Sequence, residues 1–253
     1  MRNEPQQINI QIKENSMNKF VASILVVLLC SQIAFAQVGE DDLSKIYALM
    51  VDEKYPEALA AHQKYFKDSK GTSASGVRLS FGLSSWAELG KVYPPAHMAL
   101  AQMATERKNS IYAGKADFGM FQEYSSINSY IDRQDESVET FLYVEKHYPA
   151  QTQDFFPLIE DTLISKKQYD IIKKYARDPI LEFENLRNRR EYSLSYLRKD
   201  SNNYSLDQIN TDFDQRYKVL LETTEKIGLN EEAAEIKRRY DGYMKGNLLR
   251  KYH

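Results

Sequence analysis

Apolar side chains recur along this chain at spacings of three and four, and no stretch alternates apolar and polar with period two, which predicts an all-α fold. Leu43, Ile46, Tyr47 and Met50 share one face of a first helix over 41–51, with Asp41 and Asp42 suited to the helix start. After the corner Lys54-Tyr55-Pro56-Glu57, a second helix puts Ala58, His62, Tyr65 and Phe66 on one side. The small, polar run KGTSASG, 70–76, predicts a linker. The next stretch, 77–96, organises the rest. Leu79, Leu83, Trp86, Gly90 and Tyr93 form one stripe of a third helix that Pro94-Pro95 stops, the same pair opening a fourth helix over 96–108. Gly90 inside that stripe forgoes roughly 1 kcal/mol of helix propensity relative to alanine, so another backbone is expected close against it.

The periodicity continues with a fifth helix carrying Met120, Tyr124, Ile127 and Ile131 on one face. A sixth is capped by Asp135, has Val138, Phe141, Leu142 and Tyr148 inward, and ends at Pro149. Two shorter helices are expected over 154–164 and 167–175. Asp178-Pro179 restarts the chain as cap and first helical residue of a ninth, running to about Arg198 with Phe183, Leu186, Leu194 and Leu197 inward. Ser205-Leu206-Asp207-Gln208 is a capping-box pattern. It opens a helix with Leu206, Ile209, Phe213, Tyr217, Leu220, Thr224 and Ile227 in register, which Gly228 ends. Asn230 caps the last helix, with Ala233, Ile236, Tyr240 and Tyr243 inward.

The start of the chain predicts an address. Met17-Asn18-Lys19-Phe20 opens a basic segment, 21–29 is apolar, and Ala34-Phe35-Ala36 is a small-x-small cleavage signal. Residues 17–36 are therefore expected to be a signal peptide cleaved after Ala36, and 1–16 a non-native extension. Such a chain is periplasmic or secreted, with no integral membrane segment in the mature part. The only cysteine, Cys30, leaves with the signal, and bulky Leu29 before it does not suit lipidation, so packing alone must stabilise the product. Loss of residues 1–36 removes Arg2, Lys13, Lys19, Glu4 and Glu14. The remaining 31 basic and 34 acidic residues show no global bias toward nucleic acid.

Two corners, Tyr55-Pro56-Glu57-Ala58 and Tyr93-Pro94-Pro95-Ala96, lie 38 residues apart, near the period of helix-hairpin arrays. In placing a tyrosine just before a helix with alanine early in it, this pattern resembles tetratricopeptide-like repeats. Arg78-Leu79-Ser80-Phe81, Trp86, Leu89 and Tyr93-Pro94-Pro95-Ala96 are similar to a motif of uncharacterised exported bacterial proteins of that type. The resemblance implies antiparallel hairpins stacked as a right-handed solenoid over 37–178, with 179–253 continuing or capping the array. It departs where bulky Ile46 stands in place of a small residue, and where Lys167-Gln168-Tyr169-Asp170 keeps the tyrosine but not the alanine.

Chemistry is sparse. His62, His97, His147 and His253 are scattered without ligand spacing. Ser80, Ser84 and Ser85 lie on a helix and not in a nucleophile elbow, and no phosphate-cradling glycine loop occurs, so no catalytic residue, metal or cofactor is expected. The basic run Arg187 to Arg190 interleaves with Glu182, Glu184 and Glu191, which predicts intrahelical pairing. The binding candidates are Arg78, Phe81, Trp86, Glu88 and Tyr93: an arginine able to hold a carboxylate, beside an aromatic group and one acid. Against these stand an inter-helix contact for Arg78, core packing for Trp86 and Tyr93, and a solvated or ion-paired helix position for Glu88. The expected function is a protein- or peptide-binding scaffold without catalysis, with self-association through the C-terminal helices as a further partner. The alternative is an envelope enzyme or accessory acting on glycan or peptidoglycan through Glu88.

Overall fold

The computed structural model describes residues 40–197 and 205–250, so the signal segment, Cys30 and the Ala36 cleavage position lie outside the described residues. Among the described residues every regular element is helical and no strand occurs. No helix there is long and apolar enough to cross a membrane.

Helices α1 (Glu40–Val51) and α2 (Tyr55–Asp68) form the first hairpin, turned by Glu53 at a φ of 57°. The linker then passes into α3 (Ser75–Val77), a five-residue π turn (Arg78–Gly82) and α4 (Leu83–Val92). Sequence periodicity assumes a constant 3.6 residues per turn. The wide turn breaks that phase, so Leu79 is only half-buried, whereas Arg78 and Gly82 face inward. Gly82 permits this: a Cβ there would stand 3.0 Å from the Tyr65 ring.

Tyr93 leaves the helical region, and α5 (Pro94–Ser110) turns back along α4. The Trp86 indole Nε1 donates to the Ala96 carbonyl at 3.1 Å, fastening the two helices at the corner. The close approach expected at Gly90 is present, since a Cβ there would lie 3.2 Å from the backbone N and Cα of His97. Gly90→Ala therefore sets roughly 1 kcal/mol of helix propensity against a backbone clash of about 1–3 kcal/mol. A net loss of about 1 kcal/mol is expected in chemical denaturation.

A second π turn (Ile111–Lys115), in which Gly114 takes φ 75°, leads to α6 (Phe118–Tyr130), capped by Asp117 accepting from the Met120 amide at 2.7 Å. α7 (Gln134–His147) begins one residue before the expected cap. Asp135 lies in its first turn and pairs with Lys166. The inward stripe of α7 is Ser137, Val138, Thr140, Phe141 and Val144; Leu142 points to solvent and Tyr148 is half-buried. The helix expected over 154–164 is broken into α8 (Thr152–Phe155), a 3₁₀ turn (Phe156–Leu158) and α9 (Glu160–Ser165). Pro157 has no amide hydrogen to donate, and the break turns the adjacent Phe155 and Phe156 both into the core. α10 (Tyr169–Tyr175) follows.

The last three helices are α11 (Pro179–Leu197), α12 (Leu206–Lys226) and α13 (Asn230–Arg250), each packed on the other two. Asp178 caps α11 through the Ile180 amide at 2.8 Å. Ser205 and Gln208 make the reciprocal capping box at α12, both bonds at 3.1 Å. Two apolar clusters result. One runs from α1 to α10 and takes in Ile227; the other joins Phe183, Phe213, Tyr217 and Ile236. In the second, Tyr217 and Tyr240 stack at 3.7 Å, and burial together with the Asp214 carboxylate accepting its hydroxyl pushes Tyr240 up to about 12.

The charged run on α11 pairs within its helix only in part. Arg187 and Glu184 meet within the helix at 2.7 Å, but Glu184 also receives Arg239 of α13, and Arg190 is directed to Asn210 and Tyr243. Arg190 is buried between the helices, and Glu191 of its own helix stands farther off, at 3.9 Å.

Candidate functional site

Helical spacing assembles a groove of about 330 Å³ from five elements. α2 supplies Gln63, Phe66 and Lys67 at i, i+3 and i+4, with Lys70 just beyond its end. α5 supplies Ala99, Gln102, Met103, Glu106 and Arg107 at i, i+3, i+4, i+7 and i+8. Trp86 from α4, Arg78 from the π turn and Glu123 from α6 complete the lining.

Glu123 is the centre of the charge arrangement. Its side chain is 1% exposed, yet it meets three cations: Lys70 Nζ at 2.9 Å and Arg78 Nη2 at 3.0 Å on Oε1, and Arg107 Nε at 2.9 Å on Oε2. Burial pushes this carboxyl upward, but hydrogen bonds from Lys70, Arg107 and Arg78 outweigh it and hold the group below the usual carboxylate range. Arg78 is as deeply placed, at 5% side-chain exposure, with its guanidinium 4.4 Å from the Phe66 ring centre. Its Nε is buried and has no hydrogen-bond partner among the described residues. Arg107 uses only Nε toward Glu123, and Lys67 makes no ion pair among the described residues. With four basic side chains and two acidic ones in the lining, the groove carries a net positive charge of two.

The floor is aromatic. Trp86 receives the Phe66 ring edge-on at 6.0 Å and stacks on His62 at 5.6 Å. Burial lowers the His62 pKa to about 4, which keeps the imidazole neutral; Ser85 Oγ lies 3.4 Å from its Nε2, and its Nδ1 has no partner among the described residues.

Of the five residues singled out in the sequence, the structure brings Arg78 and Trp86 together in this groove and leaves three outside it. Phe81 is exposed on the π turn. Glu88 pairs with Lys91 at 2.5 Å on the outer side of α4, and Tyr93 stacks on Tyr55 at 6.0 Å where the two corners meet. Lys67, Lys70, Arg107 and above all Glu123 are additional. Glu123 stands three residues after Met120 and four before Ile127, on the apolar face of α6, and a carboxylate at an inward position is the signal that marks it. Among the described residues, no three His, Cys, Asp or Glu side chains cluster as metal ligands. No family model, curated protein or solved structure matches the chain.

Proposed function

We propose that the protein is an exported scaffold that binds a protein or peptide segment and performs no reaction of its own, its hairpins stacked as a tetratricopeptide-like right-handed array. The observation that supports this most directly is the excess of cationic groups around buried Glu123, set beside an apolar floor of Phe66, Trp86, Ala99 and Met103. An acidic side chain on an extended segment fits that combination. Its carboxylate meets the terminal amino groups of Arg107 and the free ammonium of Lys67, while flanking apolar side chains cover the floor.

Trp86 is the only tryptophan of the chain, so its emission reports occupancy of the groove. Titration with the peptide acetyl-Leu-Glu-Leu-Glu-Leu-amide is expected to shift that emission at a concentration about tenfold lower than titration with the Gln-for-Glu peptide. The difference should shrink as salt screens the exposed charges. Lys67→Glu, at an exposed position, is expected to abolish the difference without changing the unfolding temperature. Equal titration by the two peptides, or none by either, would overturn the proposal. Glu88, paired with Lys91 outside the groove, offers no feature to carry the reading of an enzyme acting on glycan.

A further inference from the structure

A second cavity, of about 320 Å³, lies between α11 and α12, apart from the groove and lined by neither its cations nor Trp86. Its walls are built by helical spacing. Leu186, Arg189, Arg190 and Ser193 stand at i, i+3, i+4 and i+7 on α11; Ile209, Asp212, Phe213 and Arg216 stand at i, i+3, i+4 and i+7 on α12.

The chemistry of these walls is unbalanced. Arg190 is 92% buried, since only 8% of it is exposed, and a cation so placed ordinarily has an anion against it. Here its hydrogen bonds go to neutral groups. Nε and Nη2 both donate to Asn210 Oδ1, at 3.2 and 2.7 Å, and Nη1 donates to the Tyr243 hydroxyl at 2.6 Å. The nearest carboxylate, Glu191, stands 3.9 Å from Nη1, is not part of the cavity lining, and already accepts from Tyr243. Arg189 is exposed and has no ion pair among the described residues. Arg216 is matched within the lining by Asp212, through two bonds at 2.9 and 3.0 Å. Three guanidinium groups therefore face one carboxylate, over a floor of Leu186, Ile209 and Phe213.

We infer that this cavity is a binding site for a small organic carboxylate with an apolar body. The carboxylate sits between Arg189 and Arg190, and the body rests on Phe213 and Ile209. The volume, about 320 Å³, lies at the lower end of small-molecule pockets, about 300–1,000 Å³. Planar guanidinium groups recognise a carboxylate with two parallel hydrogen bonds. Arg190 is held by Asn210 and by the aromatic rings of Phe213 and Tyr243, 5.4 and 5.3 Å away, so it is ordered before any ligand arrives.

The test is calorimetric titration of the purified protein with 4-phenylbutyrate, beside its neutral amide, 4-phenylbutanamide, and inorganic phosphate. Saturable heat from the carboxylate, with the amide about tenfold weaker, is the expected result. Arg189→Glu is made at an exposed position and Ser193→Leu at a half-buried one on the cavity wall. The first should weaken the carboxylate about tenfold, and the second should obstruct it, with the unfolding temperature unchanged in each. Equal binding of acid and amide, no saturable heat from the acid, or affinity untouched by Arg189→Glu would overturn the inference. Phosphate that competes on equal terms would overturn the apolar body. Because Trp86 lies outside this cavity, its emission should stay constant throughout, which separates this site from the groove.

Discussion

Glu123→Ala is expected to lower the unfolding free energy by about 3–5 kcal/mol, the range found when one partner of a buried ionic group is removed. The reason is what remains: Arg78, 5% exposed, loses its only carboxylate partner among the described residues, and Lys70 and Arg107 face it across the vacated space. Urea denaturation at neutral pH measures the loss, and an unchanged slope with denaturant assigns it to the folded state. Glu88→Ala, which removes an exposed pair one turn long, is expected to change stability by no more than about 0.5 kcal/mol. Replacing the pair together, as Glu123→Leu with Arg78→Met, should recover most of the loss, because apolar groups of similar volume carry no desolvation penalty. A Glu123→Ala protein as stable as the parent would mean that the cluster contributes nothing to the fold.

Acid should weaken the protein in two successive windows. The His62 pKa falls from 6.5 in the unfolded chain to about 4 in the folded one because burial penalises the imidazolium. Below pH 6.5 the unfolded chain therefore binds a proton that the folded chain refuses, and stability declines as pH drops toward 4, by about 3 kcal/mol in all. Glu123 acts by the opposite shift. Its depressed pKa gives stability that is complete above the ordinary carboxylate value of 4.5 and is lost as pH falls through the folded value. His62→Phe keeps a ring against Trp86 and removes the titration, so its stability should be flat from pH 6.5 to 4.5 and then decline. A parent protein equally stable at pH 7 and pH 4.5 would exclude the first window.

The two predictions show where sequence reasoning reaches and where it stops. Local signals were legible because their partners are near in the chain. The Ser205 capping box closes within three residues, Tyr93-Pro94-Pro95 makes its corner from fixed dihedral angles, and Gly90 announces a backbone only seven residues onward. Arg78 and Trp86 were marked by type and crowding. Glu123 was not, since its meaning depends on Arg78, 45 residues away in sequence and brought near by the packing of α6. Lys70 lay hidden in a run that reads as linker, and Arg190 among charges whose intrahelical alternatives looked sufficient. The π turn at Arg78 is a change of phase that period counting cannot register, and it decides which side of the helix faces the groove.

Two separate apolar clusters among the described residues also bear on how the molecule comes apart. Helices α11 to α13 hold their own aromatic stack and their own polar ties, Arg190 to Asn210 and Tyr240 to Asp214, so that unit retains internal order when its seam with the rest opens. Two units of cooperativity are therefore expected, which hydrogen exchange would read as two sets of protection. The groove, built wholly from α2 to α6, would open with the first unit and the arginine cavity with the second.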